Sequence, residues 1–136
     1  MSRLPRAQEY LKTGFTAEAA SAARFRVLGA RAEREGRPNL ARSLRELAAE
    51  KDALALVQYE AAEAIRHPAE ELDTEVAAAL AEERYENDAL YPRMSREVDE
   101  DTAHLFHDVM AKQQEHADRL ESLVGALSRS AGDIPA

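Results

Sequence analysis

Residues 99–129, DEDTAHLFHDVMAKQQEHADRLESLVGALSR, carry the pattern that decides the fold. Phe106, Val109, Gln113, His116, Leu120, Leu123 and Leu127 follow one another at alternating spacings of three and four. That places all seven on one face of a helix. Five of them are apolar, and the two in the middle are Gln and His. Working backward, the chain is punctuated at Asp99-Glu100-Asp101, at His67-Pro68, at Gly36 with Pro38, and at Gly14. These breaks predict a short lead-in helix over 4–12 and long helices over 16–35, 38–66, 73–98 and 101–129. Gly36 suits a helix C-terminus, Pro38 a first turn, and His67 a last helical residue. Asp73 or Thr74 and Asp101 or Thr102 suit N-caps. Pro92 is expected to kink or divide the third helix near 87–91.

Short connections between long helices imply two helical hairpins, and hence an all-α, antiparallel four-helix bundle formed as one domain over residues 1–136, with its core at about 15–129 and its ends loose. The composition agrees, since Ala, Leu, Glu and Arg dominate while Gly and Pro number five each. There is no cysteine, which excludes disulfides, thiolate metal sites and thiol catalysis. No run approaches 18 apolar residues and the N-terminus has no apolar leader, so a cytoplasmic protein without a membrane partner is expected. The net charge of −8 argues against a nucleic-acid partner. Residues 1–66 hold twelve basic and nine acidic residues, whereas 67–136 hold six and seventeen. Halves of opposite sign attract, within or between chains, although solvated faces of different composition account for the same numbers.

Each expected helix interrupts its inward stripe with a polar residue. The first carries Glu18, Ala22, Phe25, Gly29 and Ala32; the second carries Leu40, Leu44, Leu47, Lys51 and Leu54. The third carries Val76, Leu80, Glu83, Asn87 and Leu90, with Glu86 alongside. Counted from their turns, Glu18, Lys51, Glu83, Glu86, Gln113 and His116 stand at similar heights, roughly 20–28 Å along their helices. Burying several charges in one layer costs several kcal/mol per ion unless they are paired or bind a metal. Inward carboxylates with Glu-x-x-His motifs are how four-helix bundles hold two metal ions.

At these residues the chain resembles the rubrerythrin branch of the ferritin-like, di-iron carboxylate family. The likeness spans roughly 15–124 and is carried by FTAEAASAARFRVLGARAEREG, EERYENDALYP and FHDVMAKQQEH. It implies metal-ligand roles for Glu18, Glu83, Glu86 and His116. The pattern is altered where the resemblance would place the second helix's Glu-x-x-His, at Lys51 and Leu54, and the fourth helix's Glu, at Gln113. The family's usual tyrosine on the first helix is Phe25, and the rubredoxin-like cysteine domain is missing.

A full di-iron centre is therefore not expected, leaving no cofactor or one transition metal ion (Fe, Mn or Zn). Lys51 is expected to pair with Glu18, Glu83 or Glu86; a surface-reaching stem or an amine nucleophile are the alternatives. Three functions follow: a metal-poor scaffold or binding protein, an oxidoreductase with one metal on Glu83, Glu86 and His116, or an enzyme using the Lys51 amine. The resemblance also implies a homodimer. His104 and His107, spaced three apart, are read as surface residues that can clamp a metal, Met94 and Met110 as core filler, and Tyr59, Tyr85 and Tyr91 as packing residues.

Overall fold

The computed structural model describes residues 3–66, 71–130 and 132–136, and every regular element among them is helical. Helix α1 spans Arg3–Arg34 and α2 spans Pro38–Arg66. Helix α3 (Leu72–Tyr85) continues through a π-helical turn (Glu86–Leu90) into the short α4 (Tyr91–Ser95), and α5 spans Glu100–Ser128. Four helical runs result, and among the described residues no helix is long and apolar enough to cross a membrane. The chain divides into two compact units, Met1–Ala69 and Glu70–Ala136. The expected helix end at His67-Pro68 lies outside the described residues.

In the first unit α1 closes on Gly36, whose φ of 76° lies in the left-handed region that only glycine adopts without cost. The Gly36 amide donates to the Glu33 carbonyl and the Arg37 amide to that of Ala32, which satisfies the last carbonyls of α1. Partners across the pair move away from this turn together: Glu33 meets Arg45, Arg26 meets Asp52, and Phe15 stacks obliquely on Tyr59, while Lys51 reaches further along α1 to Glu18.

The row that packs is not the leucine stripe. Ala41, Ala48, Ala55 and Ala62, seven residues apart, are buried against a face of α1 that includes Ala22, Gly29 and Ala32. Leu40, Leu47 and Leu54, each one residue before an alanine, remain 38%, 43% and 51% exposed. The reason is steric. A methyl built on Gly29 would stand 3.3 Å from the Arg45 Cγ and 3.5 Å from the Ala41 carbonyl oxygen, so the two helices run close at this crossing. Leucines in that row would hold the helices apart. Arg45, Asp52 and Tyr59, each four residues after an alanine, close one edge of the row by pairing with Glu33, Arg26 and Phe15. The opposite edge presents the leucines and Lys51.

Gly14 does not break α1. The Gln58 carboxamide fills the space where its Cβ would project, and helical hydrogen bonding continues through it into the lead-in. Packing against α2 thus overrides a propensity cost of about 1 kcal/mol.

In the second unit Leu80 and Ala117 are buried, and the Tyr91 and Phe106 rings meet edge-on at 5.7 Å. Arg84 reaches Glu121 at 3.1 Å. Pro92 has no amide to donate, and the helix absorbs the defect just before it: the Tyr91 amide bonds the Glu86 carbonyl, five residues back. The run stops at Ser95 rather than 98. Asp99, not Asp101 or Thr102, caps α5, accepting from the Thr102 amide at 2.7 Å and its hydroxyl at 3.0 Å. Glu71 precedes α3 without a side-chain cap, so neither Asp73 nor Thr74 serves there. Met94 and Met110 are half-buried, as expected of packing residues.

Two outcomes test this account. Ala48→Leu should destabilise the protein by about 1–3 kcal/mol in urea unfolding, by forcing α1 and α2 apart. The hydrogen bonds from Thr102 hold the Asp99 carboxyl below its ordinary value of 3.8. A carboxylate depressed by folding contributes stability above its unfolded value and loses it as pH falls through the folded one. The melting temperature of Asp99→Ala should therefore fall below wild type at pH 7, and the gap should close on acidification below that range.

Candidate functional site

The polar residues form two groups, one in each unit. In the first, Glu18 projects from the middle of α1 and Lys51 from α2. The Lys51 Nζ stands 2.9 Å from Glu18 Oε2, with the two side chains 31% and 23% exposed. Oε2 is out of contact with solvent and receives no directed hydrogen bond, so the contact is an ion pair whose ammonium lies off the hydrogen-bonding line. Two features of α2 position it. The alanine row brings the helices close, and Lys51 stands on the leucine edge of that row, where no other cross-helix ion pair forms among the described residues. Partial exposure limits the pair to roughly 1 kcal/mol of net stability. Its larger effect is exclusion. A divalent ion about 4 Å from this ammonium would be repelled by about 8 kcal/mol at an effective dielectric near 20. The two residues therefore do not suit a metal while Lys51 keeps its charge and place.

In the second unit, the last turn of α3 supplies Glu83, the π-helical turn supplies Glu86 and Asn87, and α5 supplies Gln113. Gln113 Nε2 donates to Glu86 Oε1 at 2.8 Å. Glu83 Oε2, Asn87 Oδ1 and Gln113 Oε1 are shut off from solvent without any donor. The π-helical turn begins within this cluster. It inserts extra backbone at Glu86, and such turns recur where a helix must aim side chains at a site. Three buried oxygens of these side chains therefore lack a hydrogen-bond partner, a state that protons or water relieve.

Of the six residues set at one height by the sequence, the structure joins Glu18 with Lys51 and Glu86 with Gln113. His116 is exposed. Its neighbours on α5 engage each other instead, Lys112 with Glu115 and Gln114 with Asp118. Leu54 is half out in solvent, and its carbonyl accepts from the Gln58 amide. Tyr85 is exposed rather than packed. Among the described residues, no group of three or more His, Cys, Asp or Glu side chains is arranged, as they stand, to hold a metal ion. Compared with family models and with curated proteins, the chain matches none.

Asn87 is the residue that the sequence pattern undervalued. It stands on the inward stripe one turn beyond Glu83, and that spacing was the available signal. The structure adds that its side-chain oxygen is shut off from solvent without a hydrogen-bond partner. Gln113→Leu should remove the donor to Glu86 and leave that part-buried carboxylate without this partner. A loss of about 1–3 kcal/mol in urea unfolding is expected, and an unchanged midpoint would show that the bond carries nothing.

Proposed function

We propose that the chain is a rubrerythrin-like, ferritin-like protein that has lost the di-iron site and acts as a metal-poor scaffold or binding protein. In this reading the two helix pairs are antiparallel hairpins of a four-helix bundle, cytoplasmic and homodimeric. One observation carries the proposal: the Lys51 ammonium 2.9 Å from Glu18, at a place where the resemblance calls for a ligand carboxylate. An ammonium neutralises a carboxylate as a cation would, yet it is neither a Lewis acid nor a redox centre. Gln113 has the same sense, since an amide bonded to Glu86 replaces a bridging carboxylate with a neutral donor. No electron-transfer or oxygen chemistry is assigned to the chain.

The donor-free oxygen of Glu83 favours a second reading, an oxidoreductase using one transition metal on Glu83, Glu86 and His116. It requires His116 to turn inward from its exposed position.

Elemental analysis of protein purified without chelator separates the two. The first reading expects well under one equivalent of iron or manganese per chain, and about two equivalents would overturn it. The second expects one tightly held ion, lost in His116→Ala. Lys51→Glu should raise iron or manganese affinity over wild type, because it removes the repelling charge and adds an anionic oxygen donor. Equal affinity in the two proteins would remove the role given to Lys51.

A further inference from the structure

Three donors outside the polar groups share one face of α5. Glu100, His104 and His107 stand at i, i+4 and i+7, within about 60° of one another around the helix axis. The structure already brings them near each other. The His104 and His107 rings meet edge-on with centroids 6.4 Å apart, and His104 Nε2 is 3.8 Å from Glu100 Oε1. Neither histidine packs into the unit. The His104 and Glu100 side chains are 70% and 90% exposed, and His107 is exposed as well. Core burial therefore does not account for two imidazoles on this face, and the side chains can turn without disturbing the fold.

The local field favours a cation. Glu97, Asp99, Glu100, Asp101 and Asp108 lie near the pair in sequence, with no Lys or Arg between Arg96 and Lys112. Asp99 is engaged with Thr102 as the helix cap, which leaves Glu100 as the acid aligned with both histidines.

We propose that Glu100, His104 and His107 form a surface site for a divalent transition-metal ion of borderline softness, with zinc the best match. Two imidazole nitrogens and one carboxylate oxygen are a donor set zinc accepts, with water completing the tetrahedron. In the present rotamers the three donors do not converge on one point, so the site requires the exposed side chains to turn. The helix holds the two rings at a fixed spacing, so the second nitrogen binds without a further loss of translational freedom. The site is independent of the Lys51–Glu18 pair and of His116.

Calorimetric titration of the full chain with zinc chloride, in a buffer that does not bind zinc, tests the assignment. One zinc per chain is expected. His104→Ala and His107→Ala should each weaken binding by more than about tenfold, Glu100→Gln should weaken it less, and His116→Ala should leave it unchanged. Circular dichroism should show the same helix content throughout, since all four side chains are exposed. No zinc binding by wild type, wild-type affinity in either His104→Ala or His107→Ala, or a loss that follows His116→Ala instead would each overturn the site. The last result would move the ion to the single-metal reading given above.

Discussion

Alanine at positions 41, 48, 55 and 62, facing Ala22, Gly29 and Ala32, lets two helices of the first unit approach closely. Everything distinctive about that unit depends on this approach. It brings Arg26 to Asp52 and Arg45 to Glu33 across one edge, and Lys51 to Glu18 across the other. It also leaves Leu40, Leu47 and Leu54 outside the packed row. Small residues contribute little apolar area, at roughly 25 cal/mol per Å². Their value is geometric, because each removed side chain shortens the distance across which the remaining polar groups must reach.

The polar groups then follow a consistent logic of charge. The first unit satisfies its inward carboxylate with an ammonium, which is inexpensive at partial exposure and incompatible with a neighbouring divalent ion. The second unit satisfies Glu86 with a neutral amide and leaves three oxygens without donors where the helix passes into its π-helical turn. The turn has a local cause in Pro92, whose missing amide the helix accommodates one turn earlier. A single proline thus shapes the backbone at Glu86 and Asn87.

Much of this was legible in the residues. The long helices, the glycine-closed turn at Gly36 and the interruption before Pro92 all follow from strong local rules; Leu80 is buried, and Glu18, Phe25 and Glu83 are half-buried. Legibility failed where two helical stripes were adjacent. In α2 the leucines and the alanines have the same seven-residue period, one position apart, and hydrophobicity alone favours the larger residue. Gly14 read as a break because propensity is local, whereas its retention in α1 reflects a side chain arriving from α2. His116 kept perfect period on α5 yet faces solvent, because period fixes a residue's angle on its own helix and not what stands opposite.

The amino-acid sequence by itself determined the long helices, the glycine-closed turn at Gly36 and the absence of cysteine chemistry, because each depends on residue type or on spacing along one helix. Tertiary structure alone decided which stripe of α2 packs, that Glu18 is the carboxylate paired with Lys51, and that Glu86 receives its bond from Gln113. Those outcomes depend on the distance and rotation between two helices. That distance is set by the sum of many small steric contacts, which no single segment contains.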